Sequence, residues 1–313
     1  MWRLKQIGEN EMKAILLVGH GSRDFEGNEQ VRQMIKQLKP QLDPSLLIET
    51  CFLEFERPTI EQGILACVEK GASSIAIIPL MLLAAGHSKF HIPAAIDEGK
   101  LKFPHINFSY GRPIGIHKEA IEICKERLEE IGENEQGENC ETAILLLGRG
   151  GSDPDANSDL YKIARLLWEK LNYSLVEPAY MGVTGPLIEE GIARCIKLGA
   201  KKIVILPYFL FTGILIKRLE TSLREFKLNH PDIEFKLADY FGYHKRLQTI
   251  VMERIAEVVQ GDVKMNCDMC QYRIAAMEHI DHHHHHDDHD HHHLHHDDHD
   301  HQHKHDHSVV QKL

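Results

Sequence analysis

The sequence predicts an α/β protein with two tandem, homologous, doubly wound parallel-sheet domains, followed by a disordered tail rich in histidine. Short apolar runs alternate with segments of helical periodicity, the pattern of an α/β fold. One pattern occurs twice, as ILLVGHGSRD at residues 15–24 and as ILLLGRGGSD at residues 144–153. Residues 279–307 hold 17 of the 24 histidines, interleaved with aspartate, and such a segment cannot build an apolar core.

The repeat extends well beyond that pattern. RPTIEQGI at residues 57–64 is matched by GPLIEEGI at residues 185–192, and KGASSIAIIPLMLL is matched by LGAKKIVILPYFLF. The offset between the copies is nearly constant along the chain, and it is too long for a solenoid repeat but suits one small α/β domain. We therefore expect an amino-terminal domain at 12–131, a homologous domain at 142–260 and a tail segment at 261–313.

In the first half, apolar runs rich in Ile, Leu and Val predict β-strands at residues 14–18, 47–53 and 74–79. Apolar residues spaced three and four apart predict amphipathic helices at 28–38, 59–70 and 116–131. Strands that alternate with helices are joined by right-handed crossovers, and they form a parallel sheet with helices on both faces.

The second half repeats this order, with strands predicted at 143–147, 175–181 and 202–206 and a helix at 161–171. Between the halves, residues 132–141 read GENEQGENCE, a polar and glycine-bearing segment that predicts a linker. The pattern is that of one small domain duplicated in tandem.

The composition argues against a partner that is nucleic acid or membrane. The formal net charge is −11, of which residues 281–306 contribute −7 through eight aspartates and one lysine. The amino terminus, MWRLKQIGENEMK, lacks an apolar stretch of signal-peptide or transmembrane length. We therefore expect a cytoplasmic protein, and since seven cysteines are an odd number for a disulfide framework, we expect reduced thiols.

Three polar side chains follow predicted strands of the first half: His20, Glu54 and His87. Ligands of open parallel sheets bind beyond the carboxyl ends of the strands, so we expect these side chains to converge. Two imidazoles and a carboxylate suit a borderline divalent metal with coordination positions left open. Taken singly, the three residues could equally be a turn cap, a solvated charge and a loop histidine.

The second half provides an internal comparison for these three residues. The matching positions carry Arg149, Gly182 and, by approximate alignment, Leu215, and none of these side chains suits a divalent metal. Because all three candidates are lost together, we infer that they form one site and that only the first half holds it.

Three motifs of the first half, GHGSR, FLEFERPTIEQGI and PLMLLAAGHSKFHIP, resemble those of the class II tetrapyrrole chelatases, the sirohydrochlorin cobaltochelatases and ferrochelatases. The resemblance covers residues 12–260. The sequence MNCDMC with its histidine-rich continuation is similar to the long form of the cobalt enzymes. One departure concerns His91, because the family often has an acidic residue near that position; this imidazole is a further ligand or merely a neighbour.

The resemblance implies a lyase that inserts Co²⁺ into sirohydrochlorin during anaerobic cobalamin (vitamin B12) biosynthesis, a branch of porphyrin biosynthesis. It assigns His20 and His87 as the pair that holds the metal and accepts protons, with Glu54 as a third participant. Insertion of Fe²⁺ for sirohaem is the alternative. A function of a different class, metal storage or delivery by the histidine-rich tail, also remains open.

Sirohydrochlorin carries many carboxylates, so we expect cations and backbone N–H donors in a cleft between the halves. Arg149 is the strongest candidate, because pairing of the two copies would place it opposite His20. Each of these cations, taken singly, could also be a solvated surface group. The candidate substrate-binding residues are Ser22, Arg23, Lys89, Arg149, Gly150 and Gly151.

Cys267 and Cys270 form a C-x-x-C pair beyond the second domain. Two thiolates are half of a typical four-ligand site, so two chains could each contribute a pair, or histidines could complete the shell. The resemblance implies an iron-sulfur centre, whereas the spacing alone equally allows a redox dithiol. The chain is therefore expected to be a monomer or a dimer bridged through this segment.

Overall fold

Two four-stranded parallel sheets form the framework of the computed structural model, which describes residues 12–133 and 139–261. With the strands numbered along the chain, their spatial order is 2-1-3-4 in the first sheet and 6-5-7-8 in the second. The predicted fold class of two parallel-sheet α/β domains is confirmed. Cys267, Cys270 and the histidine-rich tail lie outside the described residues.

The elements of each half follow the same order along the chain. The first half contains β1 (Lys13–Gly19), α1 (Phe25–Leu38), β2 (Leu47–Phe52), α2 (Ile60–Glu69), β3 (Ser74–Leu80), α3 (Ile92–Lys102), β4 (Asn107–Tyr110) and α4 (Lys118–Glu130). The second half contains β5 (Asn139–Gly148), α5 (Pro154–Trp168), β6 (Tyr173–Tyr180), α6 (Ile188–Lys197), β7 (Lys202–Pro207), α7 (Ile214–Asn229), β8 (Glu234–Leu237) and α8 (Lys245–Gln260). Single helical turns occur at Lys39–Gln41 and His87–His91.

The helices after β1 and β5 begin earlier than the apolar periodicity predicts. The side chains of Asp24 and Asp153 accept hydrogen bonds from the backbone amides of Glu26 and Asp155, which caps α1 and α5 at their amino termini. The predicted helices started at residues 28 and 161 because apolar spacing alone does not register the polar first turn. The predicted end of the second helix at residue 171 is likewise too late, since α5 ends at Trp168.

The predicted linker at residues 132–141 overlaps a strand. β5 begins at Asn139 and pairs there with Tyr173, before a register shift between Asn139 and Ala143. Between these pairs β5 advances four residues while β6 advances two, so the extra residues interrupt the ladder without ending the strand. Six elements had no counterpart among the predicted ranges, namely α3, β4, α6, α7, β8 and α8.

The two sheets share one hydrophobic core. Side chains such as Leu17 of β1 and Leu146 of β5 belong to a single cluster, together with the apolar faces of α1, α4, α5 and α8. Two smaller clusters, one within each half, lie on the other faces of the sheets and include residues of α2 and α3 or of α6 and α7. Four helices are therefore packed between the sheets, and the halves are not separate globules.

The last helix of each half packs across to the other half. α4 contacts α5 and β7, whereas α8 contacts α1 and β3. His117 caps α4 and reaches Glu253 of α8 at 2.9 Å, while His244 caps α8 and reaches Glu126 of α4 at 2.9 Å. The two halves therefore exchange equivalent contacts. Among the described residues, the helices lack the length and apolar character needed to cross a membrane.

Candidate functional site

A cavity of about 590 Å³ lies where the carboxyl ends of the strands of both sheets meet. The turn after β1 and the loop after β3 line it from the first half, and the turn after β5 and the loop after β7 line it from the second. Much of the wall is apolar. This apolar lining includes Met81, Leu82, Leu83, Phe209, Leu210 and Phe211.

The three predicted metal ligands lie close together, and His20 and His87 line this cavity. His20 follows β1, Glu54 follows β2 and His87 follows β3, and these strands are neighbours in the sheet. One donor atom from each residue lies within 4.8 Å of the donor atoms of the other two. All three side chains are partly buried. The strand order therefore brings together residues that are distant in the sequence.

The hydrogen bonds of His20 define which ring nitrogen can bind a metal. Nδ1 lies 3.0 Å from the carbonyl oxygen of Gly21 and 3.4 Å from Oε1 of Glu54. Both neighbours are acceptors, so Nδ1 carries the proton. Nε2 is buried without a hydrogen-bond partner among the described residues, and its lone pair is available to a metal.

His87 completes the pair of imidazoles. Its ring meets the ring of His20 edge-to-face with centroids 4.8 Å apart, and its Nδ1 is buried without a hydrogen-bond partner in the described part of the chain. Burial is the largest cause that lowers the pKa of His87, and the neighbouring His20 adds to it, while Glu54 opposes both. The imidazole is therefore neutral at neutral pH, the form that binds metals.

Glycine permits the close approach of the turns that carry the site. Gly21 has a φ of +85°, and a β-carbon there would lie 1.8 Å from the carbonyl oxygen of Glu54. Gly150 has a φ of +81°, and a β-carbon there would lie 2.1 Å from the carbonyl oxygen of Gly182. Only glycine fits both positions. The second half has thus kept the backbone of the site without its ligands.

An asparagine closes the turn after the first strand in each half. The backbone amide of Ser22 donates to Oδ1 of Asn28 at 2.9 Å, and the backbone amide of Gly151 donates to Oδ1 of Asn157 at 3.1 Å. Ser22 and Gly151 were predicted to offer donors to the substrate. In the structure their amides hold the turn, and both residues line the cavity. The two asparagines occupy equivalent positions of the repeat, which would have revealed the pair from the sequence.

Arg23 and Arg149 line the cavity as predicted candidates for binding an anion. The guanidinium of Arg23 lies 4.9 Å from the centroid of the Phe55 ring, which orients it by a cation–π contact. The positive charge of Arg149 contributes to the lowered pKa of His87. Arg149 therefore lies within electrostatic range of the ligand cluster, on the wall that the second half provides.

Lys89, the remaining predicted cation, joins the halves by ion pairs. It binds carboxylates of the first turn of α5, and Lys217 binds carboxylates of the first turn of α1. Nζ of Lys89 lies 2.8 Å from Asp153 and 2.8 Å from Asp155. Nζ of Lys217 lies 2.7 Å from Asp24 and 3.0 Å from Glu26. We call these two sets of ion pairs the lysine clasps. Lys217 was missed at the sequence level. It stands at the position of the second copy that is equivalent to Lys89, and this equivalence is the signal that could have identified it.

The buried cysteines show no sign of reactivity. Cys51, Cys67, Cys124 and Cys195 are free thiols and all are buried. Burial is the largest cause that raises the pKa of each thiol, to about 12 for Cys67, Cys124 and Cys195. A thiol that keeps its proton is a poor nucleophile and a poor metal ligand.

Known proteins match both halves of the chain. The CbiX family model matches residues 14–131 and 143–258. A Sirohydrochlorin cobaltochelatase of Priestia megaterium is 65% identical over 277 residues, which cover 88% of this chain and 90% of that protein. A Sirohydrochlorin ferrochelatase of the same organism is 38% identical over 250 residues, covering 80% and 92%. The crystal structure of the sirohydrochlorin chelatase SirB from Bacillus subtilis subspecies spizizenii in complex with cobalt has a TM-score of 0.67 and 32% identity, covering 80% and 96%.

Proposed function

The chain belongs to the CbiX family of metal chelatases, and from this premise we propose that it inserts Co²⁺ into sirohydrochlorin. The product, cobalt-sirohydrochlorin, would serve anaerobic cobalamin biosynthesis. The choice of metal is supported by the 65% identity to a protein named as a cobaltochelatase. The observation that carries the proposal is the convergence of His20, Glu54 and His87, two of which, His20 and His87, line the cavity.

The imidazoles of His20 and His87 are proposed to hold the metal as it enters the ring. Each has a buried ring nitrogen without a hydrogen-bond partner among the described residues, and burial of such an atom is unfavourable unless a ligand satisfies it. Neutral imidazoles suit cobalt, iron and nickel. They bind the ion without cancelling its charge, which remains available to attract the electron pairs of the pyrrole nitrogens.

Metal insertion releases two protons, one from each of two pyrrole N–H groups, as two metal–nitrogen bonds replace two nitrogen–hydrogen bonds. Glu54 is proposed to assist as the nearest carboxylate, since its Oε1 lies 3.4 Å from Nδ1 of His20. A carboxylate in this position stabilises the positive charge that an imidazole gains when it accepts a proton. When the metal passes to the pyrrole nitrogens, the imidazole nitrogens that held it become free, and these nitrogens of His20 and His87 are proposed to accept the two protons.

The two walls of the cavity suit the two parts of a carboxylated tetrapyrrole. The apolar lining residues can contact the faces of the macrocycle, and burial of that apolar surface favours binding. Arg23 and Arg149 are proposed to bind carboxylates at its rim, since a guanidinium can bind a carboxylate through two hydrogen bonds. Ser22, Gly150 and Gly151 form the adjacent wall of the cavity. Lys89 is proposed to hold α5 through its ion pairs and not to bind the substrate.

The experiment is metallation of sirohydrochlorin by the purified full chain, followed by absorbance under anaerobic conditions. We expect Co²⁺ insertion well above the spontaneous rate. A rate no greater than the spontaneous rate would contradict the proposal. Fe²⁺ insertion at equal free metal tests the second candidate function, which is supported by the 38% identity to a ferrochelatase. Faster Fe²⁺ insertion would assign the chain to sirohaem synthesis.

A further inference from the structure

We propose that His87 and His91 form a second, outer metal-binding site through which a divalent ion reaches the inner cluster of His20, Glu54 and His87. This inference rests on the proposed function and extends it to the path of the metal. The ligand would be a borderline divalent cation such as Co²⁺, Ni²⁺ or Fe²⁺, because two imidazoles select that class over Mg²⁺ or Ca²⁺.

The two imidazoles are placed side by side by one helical turn. The turn spans His87–His91 and is wider than an α-helical turn, since the amide of Ile92 donates to the carbonyl of His87. The ring centroids of the two histidines are 5.0 Å apart with planes inclined by 40°. Histidines four residues apart on one helical face are an established metal-chelating arrangement.

The three imidazoles form a series from the cavity toward solvent. His20 and His87 line the cavity, with centroids 4.8 Å apart, and His91 is exposed. Because His87 belongs to both pairs, an ion could exchange His91 for His20 while it stays bound to His87. It would not need to regain its full hydration shell between the two sites, which removes part of the cost of dehydration from the insertion step.

The second half provides the internal comparison for His91. The offset that relates Lys89 to Lys217 relates His91 to Leu219, which is buried in the core of the second half. An exposed imidazole thus occupies the position where the other copy has an apolar core residue. This difference occurs in the half that holds the inner cluster, as expected for a residue that serves the same ion.

The test varies buffered free Co²⁺ at saturating sirohydrochlorin and measures initial rates of the full chain. We expect His91→Ala to raise the half-saturating Co²⁺ concentration by about tenfold, with kcat within about twofold of the wild type. His91→Asp, which supplies another ligand, should restore most of the loss. His105→Ala is the matched control, because it removes an exposed imidazole elsewhere in the chain.

Identical Co²⁺ dependence of His91→Ala and His105→Ala would overturn the outer site. A loss of kcat in His91→Ala that high Co²⁺ does not restore would also overturn it. Both results leave the proposed function intact if His20→Ala is inactive. A wild-type chain without metallation activity would instead contradict the proposed function, and the outer route with it. The tail is the same in every variant, so its histidines cannot produce the expected difference.

Discussion

The two halves have the same backbone at the cavity and different chemistry. Gly21 and Gly150 lie in equivalent turns. Gly21 packs closely against the carbonyl of Glu54, and Gly150 packs closely against the carbonyl of Gly182. The first half adds two imidazoles and a carboxylate to this frame, whereas the second half has Arg149, Gly182 and Leu215 at the matching positions. One copy therefore carries the residues that are proposed to bind a cation. The other presents a cation of its own at the same cavity.

Some residues are identical at equivalent positions of the two copies. These residues, which obey the repeat, hold the two halves together. Lys89 and Lys217 each bind the first turn of a helix in the opposite half, and His117 and His244 each cap one exchanged helix and bind the other. The candidate ligands His20, Glu54 and His87 differ between the copies and are the residues that break the repeat. This contrast separates structural residues from those of the site, and the following predictions test it, beginning with the largest expected effect.

Loss of a residue that breaks the repeat should abolish activity. We expect His87→Ala to lower the rate of Co²⁺ insertion by at least about 100-fold, because the ion loses one of two imidazoles. The thermal midpoint of unfolding should change little, since the buried Nδ1 has no hydrogen-bond partner among the described residues. Initial rates and calorimetry measure the two quantities. His105→Ala is the control, and a comparable loss of rate in that variant would contradict the assignment.

Loss of a residue that obeys the repeat should affect stability. Arg254 donates to the carbonyl of Ile114, and Arg127, at the equivalent position, donates to the carbonyl of Phe241. Arg254 is 2% exposed and Arg127 is 13% exposed. We expect Arg254→Met to lower the free energy of unfolding by about 3 kcal/mol, because it leaves buried carbonyl groups without a donor.

Arg127→Met should cost less, about 1 kcal/mol, because Arg127 donates to one backbone carbonyl, that of Phe241, whereas Arg254 donates to those of Pro113 and Ile114. Denaturant unfolding measures both variants. Equal losses of stability would show that burial does not distinguish the two exchanged contacts.

The lysine clasps give a smaller and symmetric effect. Lys89→Ala and Lys217→Ala should each lower the free energy of unfolding by less than about 1 kcal/mol, because partly exposed ion pairs contribute little. Neither substitution should change KM for sirohydrochlorin. A raised KM in Lys89→Ala alone would show that Lys89 binds substrate carboxylates. That result would remove this lysine from the residues that obey the repeat.

The helix cap at His117 should make stability depend on pH. Burial lowers the pKa of His117 in the folded state, although Glu253 opposes the shift. The unfolded chain therefore binds a proton that the folded chain does not. Stability should fall as the pH decreases below the ordinary histidine pKa, by at most about 1.4 kcal/mol per pH unit for this group.

His117→Asn keeps a capping side chain and should flatten this dependence between about pH 6.5 and pH 5. His244→Asn controls for alteration of the equivalent cap. An unchanged slope in His117→Asn would contradict the assignment to His117.

The sequence predicts the fold class and the convergence of three candidate ligands because both depend on local pattern. Each of His20, Glu54 and His87 follows a strand, and parallel strands end at one edge of a sheet. The sequence does not predict which side chains of one half contact the other half. The ion pairs of Lys89 with α5 depend on how the two copies pack, which apolar periodicity does not specify.

The same reason explains the remaining differences. The sequence predicted the two domains but not the contacts of α4 and α8 with the opposite half, because these contacts depend on the core that the two sheets share. The repeat itself contains part of this information. The offset from His117 to His244 equals the offset from Arg127 to Arg254, so like residues at equivalent positions would have pointed to the exchanged contacts.

The most direct test of the division between metal-binding and substrate-binding halves compares His20→Ala with Arg149→Ala over a matrix of Co²⁺ and sirohydrochlorin concentrations. We predict that His20→Ala has a low kcat at every concentration. Arg149→Ala should recover nearly the wild-type kcat at saturating sirohydrochlorin, with KM raised about tenfold, as expected for loss of one charge-assisted contact. Recovery of His20→Ala by excess sirohydrochlorin, or an Arg149→Ala defect that only Co²⁺ relieves, would contradict the account.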